Sequence, residues 1–190
     1  MKRFLFVRAA TGLIAALGIT SAMSQAACSA CHGPDGNSTT PGVPSIAGQP
    51  RLFLETQLVL IREEIREAPQ MLPIVKGMAD EEIAALAEHF SSLKARRVAT
   101  DPPDAERMRR GRERASALRC GICHLEHFQG QKQVPRLAGQ REDYLLSELR
   151  AYRDDQRKGG DTIMAAALFG LSDTDLTALA HFLAHVEPGQ

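Results

Sequence analysis

The segment Cys28-Ser29-Ala30-Cys31-His32 returns 92 residues later as Cys120-Gly121-Ile122-Cys123-His124. Cys-x-x-Cys-His is the covalent attachment signature of c-type haem. Each sulfur adds to one vinyl group, the two-residue spacer sets both sulfurs on one face of a helical turn, and the adjacent histidine faces the iron. Two copies imply two covalently bound haem c groups, held by Cys28 and Cys31 and by Cys120 and Cys123, with His32 and His124 as iron ligands. Two disulfides, or one zinc site built from two Cys-x-x-Cys knuckles, would use the same cysteines. Neither needs a histidine directly after both pairs, and the chain has only six histidines in 190 residues.

The likeness between the halves extends past the motif. Pro44-Ser45-Ile46-Ala47-Gly48-Gln49 matches Pro135-Arg136-Leu137-Ala138-Gly139-Gln140, Phe53-Leu54 matches Tyr144-Leu145, and Ala85-Leu86-Ala87 matches Ala178-Leu179-Ala180. The offsets stay between 91 and 93, so the chain is one module written twice, the copies differing by small loop insertions. A repeat of this length is a whole domain, with expected limits 27–98 and 99–190. Each copy is short for a self-sufficient apolar core, so a bound porphyrin is expected to supply part of it.

The periodicity is helical throughout. Leu54, Leu58, Ile61 and Ile65 share a face, and Leu145, Leu149 and Tyr152 repeat its start. Pro69 and Gly159-Gly160 are the expected ends of these segments. The last helix of each module opens on a cap signal: Asp80 before Glu81 and Glu82, and Ser172 with Asp175 at capping-box spacing. Their apolar stripes are Ile83, Leu86, Ala87, Phe90 and Leu176, Leu179, Ala180, Leu183. No run alternates like a strand, so the fold class is all-α. Pro102 and Pro103 break the segment between the modules, and Pro103 is placed to open a helix over 103–118. That helix carries Arg107, Arg109, Arg110, Arg112 and Arg114, which with Lys94, Arg96 and Arg97 form a basic belt. It reads as a solvated helix face partly paired with Glu106 and Glu113, or as a docking patch for an acidic redox partner or an anionic membrane surface.

The sixth iron ligand decides function, because an occupied position leaves no room for oxygen or peroxide. Met71 and Met164 each lie eight residues before the equivalent residues Ala79 and Ser172, whereas Met78 matches the apolar Leu171. Met71 and Met164 are therefore the expected thioether ligands, which favour ferrous iron. Met108 is expected in the core or on the surface. A carbonyl of Pro44 or Pro135 is placed to accept the imidazole N–H and fix the ring, and Arg66 and Arg157, matched at offset 91, are candidates to pair with propionates. His89, His127, His181 and His185 lack motif context and read as structural or exposed. His181 and His185 share a face at i,i+4 spacing, but two ligands alone make a weak metal site.

Lys2, Arg3 and Arg8 precede an apolar stretch over 9–19, and Ser24-Gln25-Ala26 suits a cleavage site. Residues 1–26 therefore read as a signal peptide, or as an anchor helix retained in the inner membrane, and the location as periplasmic. Without the three leader cations the charge is 20 basic against 23 acidic residues, which gives no strong field and makes nucleic acid an unsuitable partner.

In combination, the two Cys-x-x-Cys-His motifs, the two Pro-x-(Ile/Leu)-Ala-Gly-Gln segments, and Met71 and Met164 before Ala-Leu-Ala helices resemble the dihaem cytochrome c4 family over about residues 28–186. The resemblance implies two tandem class I cytochrome c domains related by pseudo-twofold symmetry, low-spin haems with His/Met ligation, and periplasmic electron transfer to a terminal oxidase. Two departures stand out. Leu125-Glu126-His127 replaces the Gly33-Pro34-Asp35-Gly36 type of loop after the second motif, and the first module has only the leader where the family has an N-terminal helix. The function expected is a one-electron-per-haem carrier in a respiratory chain, not an enzyme, with redox proteins as partners and no small-molecule substrate. The alternatives are the haem subunit of an oxidoreductase complex, with a flavoprotein or dehydrogenase partner, and a dihaem peroxidase. The peroxidase needs an openable iron and a distal acid–base group, and the matched methionines argue against it.

Overall fold

A computed structural model describes residues 25–99 and 101–189. The leader, and with it the question of cleavage or retention, lies outside the described residues except for positions 25 and 26. Among the described residues the chain is helical, and its only extended pairing is the isolated bridge between Gln131 and Val134. The first module holds α1 (25–32), α2 (Arg51–Arg62), α3 (Leu72–Val75) and α4 (Asp80–Ser92). The second holds α5 (Ala105–Ala117), α6 (Gly121–His124), α7 (Glu142–Arg153), α8 (Thr162–Leu168) and α9 (Asp173–His185).

Helix α2 packs on α4 and α3, and α7 packs in the same way on α9 and α8. The expected stripes form the cores: Ile83, Leu86, Ala87 and Phe90 in one module, Leu176, Leu179, Ala180 and Leu183 in the other, all buried. In module two, α5 crosses α9 at Gly111. A Cβ there would stand 2.2 Å from the Ala178 carbonyl oxygen and 2.5 Å from the Phe182 Cβ, so only glycine allows the backbones so close.

Several helix ends differ from the sequence reading. Helix α2 stops at Arg62, well before Pro69, and α7 stops at Arg153. Both close in a Schellman motif. Ile65 N–H donates to the Leu60 carbonyl at 2.9 Å, Gln156 N–H donates to the Ala151 carbonyl at 2.8 Å, and Glu64 and Asp155 take the left-handed conformation at φ 58° and 54°. Ile65 therefore lies beyond the stripe and is 50 % exposed. Helix α4 begins one residue earlier than the cap assigned to Asp80. Ala79 is the N-cap, its N–H donates to Glu82 Oε2 at 3.0 Å, and Asp80 is drawn off to Arg62 at 2.7 Å. Ser172 caps α9 as expected, accepting from Asp175 N–H at 3.1 Å. Helix α5 starts two residues after Pro103, capped by Asp104, which accepts from Arg107 N–H at 2.8 Å.

The modules meet through the two Ala-Gly-Gln segments. Gln49 Nε2 donates to the Arg136 carbonyl at 3.0 Å, and Arg136 N–H donates to Gln49 Oε1 at 2.9 Å. Gln140 Nε2 donates to the Ser45 carbonyl at 2.8 Å, and Ser45 N–H donates to Gln140 Oε1 at 2.7 Å. Ser45 and Arg136 are equivalent positions, as are Gln49 and Gln140, so each glutamine reads the backbone of the other module and the two clamps are related by a pseudo-twofold. All four residues are buried. Gly48 and Gly139, at φ 61° and 63°, place the glutamines by donating to the Phe90 and Leu183 carbonyls at the ends of α4 and α9.

Two outcomes follow from this packing. Gly111→Ala is expected to destabilise module two by about 1–3 kcal/mol, the range of overpacked cores, in a thermal melt of the haem-loaded protein. An unchanged melting temperature contradicts the α5–α9 crossing. Gln49→Ala or Gln140→Ala leaves a buried N–H and C=O unpaired, at about 1–3 kcal/mol per group. The double variant is expected to unfold in urea with two separated transitions, and a single transition at the parent midpoint speaks against the clamps.

Candidate haem-iron centres

Each attachment motif occupies a helical turn, on α1 in module one and across the start of α6 in module two. Cys28 is buried and Cys120 half-buried, Cys31 and Cys123 face outward, and none of the four forms a disulfide. Burial pushes the Cys28 and Cys120 thiols up, keeping them protonated. His32 and His124 are buried behind them.

The histidine rings are held alike. His32 Nδ1 lies 2.8 Å from the Pro44 carbonyl, and His124 Nδ1 lies 2.9 Å from the Pro135 carbonyl. A carbonyl only accepts, so Nδ1 carries the proton and Nε2 presents its lone pair. Burial lowers both imidazole pKa values, against the opposing pull of the carbonyl, which keeps the rings in the neutral form that binds metal.

The loop after the histidine keeps one backbone path in two sequences. In module one, Gly33 (φ 88°) and Gly36 (φ 74°) turn the chain, and the Gly36 carbonyl accepts from Ile46 and Ala47 N–H at 2.8 and 2.9 Å. In module two, Leu125 (φ 66°) and Phe128 (φ 55°) take these places, and the Phe128 carbonyl accepts from Leu137 and Ala138 N–H at 2.8 and 3.1 Å. The left-handed conformation costs a non-glycine residue about 1–2 kcal/mol. Phe128 offsets part of this by packing edge-on against Phe182, with ring centroids 5.7 Å apart. The departure in sequence is therefore not a departure in path.

Met71 is the N-cap of α3 and Met164 lies on α8, both half-buried. Their elements pack on α2 and α7 in the same relation, and Val75 and Leu168, four residues beyond each methionine, are buried anchors. Met78 and Leu171, the alternative pair, pack against the apolar core of their own module, as Met164 also does. Met108 packs against the core of module two.

Arg66 and Arg157 face each other across the seam. Arg66 Nη1 donates to Gln57 at 2.8 Å and its Nη2 to the Tyr144 hydroxyl at 3.1 Å, with Glu148 at 3.5 Å. Arg157 Nε donates to Glu148 at 2.6 Å and its Nη2 to Gln57 at 2.9 Å. Gln57 and Glu148 are equivalent positions, so two guanidiniums share one carboxylate where symmetry would supply two. Arg136, 2 % exposed, donates to the Ala47 and Ala138 carbonyls, has no carboxylate partner, and leaves Nε without any hydrogen bond. Burial pulls its pKa down to about 10. The residues thus fit haem c on three counts: paired thiols, a histidine whose Nε2 is free, and buried positive charge in excess, which suits propionate carboxylates. Haem bound there supplies one-electron iron redox chemistry.

Sequence reasoning passed over the glutamine clamps, Gln57, Glu148, Tyr144 and the burial of Arg136. The signal available for the clamps was the invariant Ala-Gly-Gln at offset 91. The basic belt is more neutralised than expected. Arg110 and Arg114 share Asp175, while Arg107, Arg97 and Arg96 reach Glu142, Glu187 and Asp35.

The cytochrome c family model matches residues 19–94 and again 108–187. Cytochrome c4 of Azotobacter vinelandii is 32 % identical over 91 % of this chain and 91 % of its own length. The thiosulfate dehydrogenase electron acceptor of Stutzerimonas stutzeri is 31 % identical over 86 % of this chain and 82 % of its own. The crystal structure of reduced recombinant cytochrome c4 from Pseudomonas stutzeri superposes with a TM-score of 0.78 at 28 % identity, covering 88 % of this chain and 98 % of that one. Two tandem cytochrome c domains, each with its Cys-x-x-Cys-His motif, carry two covalent haem c groups for electron transfer, and the chain belongs to the cytochrome c4 family.

Proposed function

We propose that the chain is a periplasmic carrier that takes one electron per haem and donates to a terminal oxidase, without catalysing a reaction of its own. The observation that carries this reading is the duplicated site. Each module offers a histidine locked by a proline carbonyl and a methionine at an equivalent place. Cys28, Cys31, Cys120 and Cys123 would hold the porphyrins, and His32 with Met71 and His124 with Met164 would be the iron ligands, which would leave no position for peroxide or oxygen. The reading takes 27–98 and 99–190 as the two domains and 1–26 as the export leader or membrane anchor. Among the described residues no single helix is long and apolar enough to cross a membrane.

The chain's own residues have four tasks. Pro44 and Pro135 hold the proton on Nδ1 and aim Nε2 at the metal. Buried apolar side chains exclude water. Arg136, Arg66 and Arg157 supply positive charge at the seam, and the glutamine clamps keep the modules at a fixed separation.

A second reading makes the protein the acceptor for a dehydrogenase, such as one acting on thiosulfate. The relative named as a thiosulfate dehydrogenase electron acceptor favours it, since it aligns across both modules. In either case the partner is a redox protein.

Met71→Ala and Met164→Ala are each expected to remove about half of the far-red sulfur-to-ferric-iron absorption, one of two thioether ligands being lost. Each is also expected to open that iron to carbon monoxide, which the reduced parent resists. A full band in either variant overturns the ligand assignment. Stopped-flow mixing of the reduced protein with oxidase-bearing membranes is expected to reoxidise both haems. Failure there, with rapid reduction by a thiosulfate dehydrogenase, selects the second reading.

A further inference from the structure

We propose that Glu142, His181 and His185 form a second, non-haem metal site in module two. It takes a divalent first-row cation of borderline softness, with zinc as the probe. One ligand atom from each residue lies within 4.8 Å of the other two. Helix α9 sets His181 and His185 one turn apart, and the packing of α7 on α9 brings Glu142, the first residue of α7, onto the same face. The sequence alone offered two ligands. The fold adds the third from 39 residues away.

The hydrogen bonds fix where the protons are. His181 is buried. Its Nε2 accepts from Asp104 N–H at 2.9 Å, and its Nδ1 lies 2.8 Å from Glu142 Oε2. A backbone N–H only donates, so the ring proton sits on Nδ1, shared with the carboxylate. A metal ion takes the place of that proton: the Nδ1–H bond breaks, a bond from Nδ1 to the metal forms, the proton leaves to solvent, and no electron moves. Arg107 engages the other carboxylate oxygen, Oε1, at 3.3 Å, leaving Oε2 for the metal.

His185 supplies a second indication. Its Nδ1 lies 2.8 Å from the His181 carbonyl and its Nε2 3.2 Å from the Asp101 carbonyl. A neutral imidazole can donate to only one of these carbonyls, and its other nitrogen keeps the lone pair that a cation takes. Two imidazoles and a carboxylate form a donor set suited to zinc. The equivalent positions in module one are Arg51, Glu88 and Ser92, so the site is no part of the duplicated haem machinery. Occupied, it would pin the start of α7 to the end of α9, two residues after the Gln140 clamp.

The test uses the full-length, haem-loaded protein, whose cysteines are consumed as thioethers, after chelator treatment. Zinc is titrated against a chromophoric competitor at neutral pH in a non-coordinating buffer. One zinc ion per chain is expected, with release of about one proton. His185→Ala and Glu142→Gln are each expected to weaken binding by at least ~10-fold, the lower bound seen even for outer-shell changes. His89→Ala and His127→Ala are expected to leave it unchanged. No saturable binding up to ~1 mM, or undiminished affinity in His185→Ala, overturns the site. His185 is partly exposed, so its variant decides the matter even if Glu142→Gln folds poorly.

Discussion

Each module depends on a proline carbonyl that holds the proton of a histidine. The Pro44 and Pro135 oxygens fix the tautomers of His32 and His124, so Nε2 is aimed and unprotonated before any metal chemistry begins. Five residues further along, the same segments end in Gln49 and Gln140, whose amides cross to the other module. One short loop therefore ties the iron ligand to the seam between domains. The geometry between the two modules is set by buried glutamine amides that grip the backbone of the opposite module.

The duplicated Cys-x-x-Cys-His motifs and the register of Met71 against Met164 were legible because covalent chemistry and a repeat offset are local, countable signals. The stripes Ile83–Phe90 and Leu176–Leu183 were legible because helix period is. What escaped was long-range or conformational. Nothing in the local sequence says that α2 ends at Arg62, because its C-terminal turn places Glu64, not a glycine, in the left-handed region. Asp80 carried a cap-like sequence, but the Arg62 guanidinium draws it away and Glu82 reaches back to Ala79 instead. Asp175, the shared partner of Arg110 and Arg114, lies more than 60 residues away and beyond the reach of any local pattern.

The loop after the second haem motif shows how backbone hydrogen bonding can outlast sequence. Leu125 and Phe128 stand where module one has glycines, and the same carbonyl still accepts the same pair of N–H groups. The strain is tolerated because those bonds over-determine the path. Module two also has a packed α5–α9 crossing, which gives it a larger framework to hold such strain.

The seam departs from its own symmetry in a consistent direction. Module two contributes Glu148, Tyr144 and Arg136 where module one has Gln57, Phe53 and Ser45. Duplication gave two like compartments, and these three replacements leave the seam between them with a shared carboxylate, a phenol and a buried cation that the repeat alone does not supply.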